Sequence, residues 1–312
     1  MSLERALELA ERGRGTTYPN PVVGAVVVRD GEVVGEGWHQ RQGEAHAEVI
    51  ALAAAGERAK GATLFVTMEP CAHHGSTPPC TEAVLAAEVK KVVAGSLDPN
   101  PEAGGGLEVL RAAGVETEDA GLAAARIQNE AWRMWVAEKR PFVILKLAVT
   151  LDGRVAVPGT RWVTGEEARR RVHELRAKVD AVAVGMGTVR ADDPQLTARD
   201  VDVAKQPRRF AFGRGPLPDG SELELRTGGL EDELARLAAE GVQSLLLEGG
   251  PKLAESFLRA GLVDKVLLFV APQIAGSGPS FAPELPGPTE LRRFAVEQVG
   301  DDLLLSGYVH EP

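Results

Sequence analysis

The sequence predicts an α/β protein of two domains, and three observations carry the prediction. Short apolar runs of strand length alternate with amphipathic runs of helix length along the whole chain. The 312 residues exceed what one hydrophobic core ordinarily serves. A long helical stretch ends in Lys139-Arg140, cations suited to a helix C-terminus, and Pro141 then opens a strand. Domains are expected at 1–140 and 141–312.

In the first domain, residues 3–12 read as a helix with Leu3, Ala6, Leu7 and Ala10 on one face. The runs 22–28 and 32–38 flank Arg29-Asp30-Gly31 and read as a hairpin. Helix is expected at 45–55, 81–87, 107–113 and, as one longer piece, 122–138. Strands are expected at 63–67, 91–94 and, at an edge, 115–118, so the sheet is mixed. The second domain reads as strand 142–148, helix 166–178, strand 181–184, a short strand 210–212, helix 230–240, strand 244–247, helix 252–260 and strand 265–271. Two further strands lie at 294–299 and 303–309. The Pro/Gly-rich stretches 213–220 and 275–288 read as loops, and there is no internal repeat.

Composition narrows the function. Apolar content of 44% and charged content of 26% are those of a globular protein, and no apolar run is long enough to cross a bilayer. Net charge is −10 with no basic cluster, which argues against a nucleic-acid partner and for a small-molecule substrate. The N-terminal stretch is an amphipathic helix with Glu4, Arg5, Glu8 and Glu11, not a signal peptide, so the expected location is cytoplasmic. A homo-oligomer is compatible with the sequence. The two cysteines, Cys71 and Cys80, are too few for a disulfide framework and point to a metal or catalytic role.

The chemistry-bearing cluster is His46-Ala47-Glu48, then Glu69-Pro70-Cys71 and Cys80. One imidazole and two thiolates are zinc ligands, and three ligands leave the fourth position open to water, whose pKa zinc lowers toward ~7. Glu48, two residues after His46, sits close enough to move a proton to a leaving amine without being a ligand. A helix N-terminus is expected at both His46 and Cys71, where it favours a thiolate. Two bland readings compete: core residues without a metal, and a closed structural site completed by His73 or His74.

The second half carries no Gly-x-Gly-x-x-Gly fingerprint, so a Rossmann domain is not supported. Instead Gly185-Met186-Gly187 and Gly249-Gly250 each follow a strand, where glycine lets backbone approach a pyrophosphate. Such turns are also common plain connectors. Asp192-Asp193-Pro194 reads locally as a capped turn.

His-x-Glu and Pro-Cys resemble the cytidine-deaminase-like superfamily, which carries the zinc-deaminase logic. The longer spacing of eight residues between the cysteines resembles the bifunctional riboflavin-biosynthesis deaminase/reductases. So do Pro19-Asn20-Pro21-Val22-Val23-Gly24, Asp98-Pro99-Asn100-Pro101, the stretch from Lys146 through Asp152 to Arg154, Arg161 to Gly165, Thr188 to Arg199, and Glu248 to Pro251. The resemblance covers nearly the whole chain. It implies a cytidine-deaminase-like three-layer domain with a mixed sheet, followed by a dihydrofolate-reductase-like α/β domain. It also implies one zinc per chain and NADPH as cofactors. The implied reactions are hydrolytic deamination of 2,5-diamino-6-(5-phosphoribosylamino)pyrimidin-4-one, a phosphorylated aminopyrimidine, and then reduction of its ribosyl side chain to ribityl. The alternative keeps a zinc deaminase but makes the second half non-catalytic.

Carried over by position, the resemblance assigns zinc to His46, Cys71 and Cys80, and catalysis to Glu48, Lys146 and Asp192. It assigns substrate contacts to Asn20, His39, Asn100, Thr160, Thr164, Arg176, Leu196, Arg199 and Glu248. Cofactor contacts fall on Ala148, Trp162, Gly187, Thr188, Asp192, Gly249, Gly250, Pro251, Lys252, Leu253, Ala254, Glu255 and Ser256. On local evidence alone, Asn20 and Asn100 are also turn residues, His39 a surface residue closing a hairpin, and Trp162 equally a packing residue. Ser76 stands where the family usually has Lys or Arg, so the substrate phosphate needs another cation, with Arg41 one option.

Overall fold

The computed structural model describes residues 2–75, 77–281 and 284–311. The chain divides into two compact units, Met1–Glu138 and Lys139–Glu311. The division falls two residues before the 140/141 boundary read from the sequence, because Lys139 turns into the left-handed region at φ 55° and ends the preceding helix.

The first unit is a five-stranded sheet in the order β2-β1-β3-β4-β5, formed by Glu32–Trp38, Gly24–Arg29, Thr63–Val66, Lys91–Ala94 and Glu116–Asp119. The β1–β2 hairpin and the β1–β3 pair are antiparallel; β3–β4 and β4–β5 are parallel. Alternation along β1 explains the layers. Ala25 and Val27 enter the core with helix α2 (Ala47–Ala55), whereas Val26 meets Ala6 and Leu9 of α1 (Ser2–Glu11) on the other face. Gly35 and Gly37 bring α2 down onto β2: a Cβ at either would lie 2.2 Å or 2.5 Å from the carbonyl oxygens of Ala51 and Ala47. That close seat fixes the start of α2, where His46 and Glu48 lie.

The single helix expected at 122–138 is two, α5 (Ala123–Gln128) and α6 (Glu130–Glu138). Asn129 breaks it because its buried side chain leaves the helix to pair with Val22. The Val22 N–H donates to Asn129 Oδ1 at 3.0 Å, and Asn129 Nδ2 donates to the Val22 carbonyl at 2.9 Å. Two further helices, α3 (Cys80–Ala86) and α4 (Gly106–Ala112), precede α5 and α6 in the chain.

The second unit is an eight-stranded sheet, β12-β13-β11-β6-β10-β7-β8-β9. In chain order these are β6 (Phe142–Thr150), β7 (Ala181–Gly185), β8 (Arg208–Phe212), β9 (Glu224–Arg226), β10 (Ser244–Leu247), β11 (Lys265–Ala271), β12 (Arg292–Val299) and β13 (Asp302–Tyr308). Strands β11 to β9 run parallel, and β13 and β12 add an antiparallel edge. The central strands are buried on both faces, so β7 and β10 read as unbroken apolar runs, as parallel strands should. Helices α7 (Glu166–Arg176), α8 (Met186–Asp192), α9 (Leu230–Ala239) and α10 (Pro251–Arg259) complete the unit. The sequence reading left α8 as a glycine turn and missed β9. Strand β9 is only three residues long and two of the three, Glu224 and Arg226, are charged, so it leaves little apolar signal.

Candidate functional sites

A cavity of about 340 Å³ in the first unit is lined by Asn20, His39, His46, Glu48, Cys71 and Asn100, all expected from the sequence. His46 is the N-cap of α2. Its Nδ1 lies 3.2 Å from Cys80 Sγ and 3.6 Å from Cys71 Sγ. Zinc bonds of about 2.0–2.1 Å to nitrogen and 2.3 Å to sulfur, at a tetrahedral angle, set N and S about 3.5 Å apart, so these edges fit the ion. Among the described residues the cluster holds three side-chain ligands, and His74 is instead on the surface against Glu82.

Cys71 is not at a helix start, as the sequence suggested; Cys80 is, opening α3. The Thr77 to Pro79 stretch cannot continue a helix from Cys71, and the chain loops back so that the Cys80 N–H donates to Cys71 Sγ at 3.3 Å. The hydrogen bond from the Cys80 thiol, with His46, pulls the Cys71 thiol down against burial, while the hydrogen bond with Cys71, and burial, push Cys80 up. Two sulfurs this close share one proton unless a cation replaces it, which is the charge a divalent ion supplies.

Glu48 is 3% exposed, and burial pushes its carboxyl up to about 7 against the pull of His46. A carboxyl poised there holds or releases a proton near neutrality. Asp98, a cavity residue to which the sequence assigns no role, is pushed by burial, and by Glu69, to about 6. Glu69 is buried and binds the loop it sits under: it accepts the N–H groups of Asp98 at 3.2 Å and Leu107 at 2.9 Å. Neither role has a local signal, because both depend on β3 and β4 lying side by side. Arg41 does not line the cavity; it is exposed and 3.9 Å from Glu44. Ser76 lies outside the described residues.

The second unit holds a cavity of about 1020 Å³ at the carboxyl ends of β6, β7 and β10, where open α/β sheets bind ligands. It is lined by Lys146, Ala148, Trp162, Thr164, Arg176, Gly187, Thr188, Asp192 and Arg199, and by Glu248 through Leu253 with Ser256. Four expected residues stand apart. Leu196 and Ala254 are buried in apolar cores, Glu255 pairs with Arg259 along α10, and the exposed Thr160 donates to the Val157 carbonyl. Glu248, its side chain 8% exposed, is gripped twice, by Arg176 through Nε at 2.5 Å and Nη2 at 3.0 Å, and faces Lys146 Nζ at 3.5 Å. Burial opposes its charge, but the two cations outweigh burial and keep its pKa below the ordinary value. Trp162 is 55% exposed, not packed, between the guanidinium groups of Arg161 and Arg169 at 5.0 Å and 5.3 Å. Gly187 and Gly250 keep backbone open at the starts of α8 and α10; a Cβ at Gly187 would meet nothing within 4 Å.

A mixed sheet carrying a buried carboxyl beside a His/Cys/Cys centre defines a zinc deaminase of the cytidine-deaminase class, here fused to a second α/β domain. Residues 2–96 match the cytidine and deoxycytidylate deaminase zinc-binding region, and residues 141–305 match the RibD C-terminal domain. Riboflavin biosynthesis protein RibD of Aquifex aeolicus is 40% identical, over 97% of this chain and 96% of its own. The Escherichia coli protein of that name is 39% identical over 97% of both. A diaminohydroxyphosphoribosylaminopyrimidine deaminase/5-amino-6-(5-phosphoribosylamino)uracil reductase of Thermotoga maritima superposes with a TM-score of 0.82, at 35% identity over 98% of this chain and 97% of its own. The chain belongs to the RibD family, and it is a bifunctional deaminase and reductase of riboflavin biosynthesis. A non-catalytic second half is disfavoured. Among the described residues no helix is long and apolar enough to cross a membrane.

Proposed function

We propose that residues 1–138 remove the 2-amino group of 2,5-diamino-6-(5-phosphoribosylamino)pyrimidin-4-one and that residues 139–311 then reduce its ribosyl chain with NADPH. The observation that carries the first half is the buried Glu48 carboxyl beside the His46, Cys71 and Cys80 cluster. Hydrolysis adds water at the ring carbon and releases ammonia, so one proton must leave the water and another must reach the amine. Zinc, when bound, acidifies the attacking water. Glu48 accepts that proton and returns it to the departing nitrogen. Asn20 and Asn100 line the cavity where the ring is held.

In the second half, NADPH supplies hydride when bound. Gly187 and Gly250 leave room for its pyrophosphate, Gly249 lets Leu253 pack beneath them, and the half-exposed Trp162 offers a flat face. Glu248 anchors the Lys146 ammonium in the cavity that Asp192 also lines, which supports Lys146 and Asp192 as the polar pair around the carbon to be reduced. Arg176 is spent on Glu248 and on the Thr197 carbonyl, so of the two arginines expected on the phosphate Arg199 is the one left for it. Incubation with the diaminopyrimidine ribotide tests the whole reading. Ammonia is expected without NADPH, and loss of reduced-nicotinamide absorbance only after deamination. Ammonia release without any nicotinamide oxidation would refute the second step.

A further inference from the structure

Between α8 and β8 the chain runs without a sheet partner, with left-handed φ values at Asp193, Leu196 and Asp200. Backbone groups in such a stretch must find partners elsewhere. Here side chains supply them. Arg209 donates to the Gln195 carbonyl, Arg176 Nη1 donates to the Thr197 carbonyl at 3.0 Å, and Gln206 pairs with both the N–H and the carbonyl of Ala198. The next N–H, that of Arg199, donates to His173 Nδ1 at 3.2 Å.

This last contact decides the state of the ring. Nδ1 also lies 3.2 Å from the Thr197 carbonyl, but that oxygen already accepts a hydrogen bond from Arg176, whereas the Arg199 N–H can only donate and has Nδ1 as its acceptor. We infer that His173 is a positioning residue of the reductase: its bare Nδ1, with the proton on Nε2, holds the Arg199 backbone so that the Arg199 side chain meets the substrate phosphate. The ring lines the same cavity as Arg199 and Arg176. Burial, then those two cations, push its pKa down against the Thr197 carbonyl and Glu248. No motif marks His173, since its partner lies 26 residues away in an irregular stretch. The inference rests on the reading of Arg199 as the phosphate ligand.

Two measurements test it. Nitrogen NMR of the histidine-labelled full chain, assigned by a His173→Gln variant, is expected to show His173 protonated at Nε2 and bare at Nδ1; a proton on Nδ1 overturns the proposal without any ligand present. Kinetics with the deaminated ribotide then separate roles. Asn places an acceptor near the Nδ1 position, so His173→Asn should hold KM within about twofold, whereas His173→Ala should raise it about tenfold with kcat little changed. Equal KM for the wild type and His173→Ala, or rescue by His173→Gln but not by Asn, overturns it. Failure of the wild type to oxidise NADPH would instead refute the proposed second step and leave the NMR result standing.

Discussion

Asn20 Nδ2 lies 3.2 Å from His39 Nε2, and on the other side of that ring Nδ1 lies 3.2 Å from the Ala45 carbonyl oxygen. A carbonyl only accepts, so Nδ1 donates, Nε2 accepts, and the Asn20 amide donates to it. Asn20 is thereby oriented by a ring that is itself 3% exposed. An Asn20→Asp variant cannot donate to Nε2. It should raise the deaminase KM about tenfold while zinc content, read by mass spectrometry, stays at the wild-type level.

Glu48→Gln keeps the shape of the site and removes the proton carrier. Ammonia release should fall by about 10²–10⁴-fold, with zinc retained and reduction of the deaminated ribotide unchanged. Loss of zinc from this variant would mean that the carboxylate is a ligand.

Chelation should separate the two activities. Stripping the ion from His46, Cys71 and Cys80 should stop deamination, whereas NADPH oxidation with deaminated substrate should continue, because the second cavity is built wholly from residues 146–280. Re-addition of zinc should restore ammonia release.

Asp264 predicts a pH dependence of stability. Burial alone would raise its pKa, but the Arg140 fork at 2.7 Å on each oxygen, His310 and the Val143 N–H outweigh burial and lower it. A depressed carboxyl stabilises the fold above its unfolded pKa of about 3.9 and loses that contribution as pH falls through the lower folded value. The urea midpoint should therefore be level near neutrality and drop in acid. Asp264→Asn should flatten that acid drop and cost about 3–5 kcal/mol at neutral pH, since it breaks an ion pair whose carboxylate is fully buried and leaves the part-buried Arg140 without its counter-charge. Faster hydrogen exchange at the Val143 amide would locate the effect.

What could be read from the sequence was whatever sits in residue identity and short spacing. His46, Glu48, Cys71 and Cys80 were legible because few side chains bind zinc and the chain has only two cysteines. The alternation of strands and helices was legible because burial imposes a period on each element. Tertiary structure alone decided which polar groups meet. Arg140, read as a helix-end cation, belongs to Asp264, 124 residues away; Arg176, expected on a phosphate, grips Glu248, 72 residues away; Asn129 gives up its helix for Val22. A buried polar group must be paired wherever the fold happens to bring a partner, and no local period records that meeting.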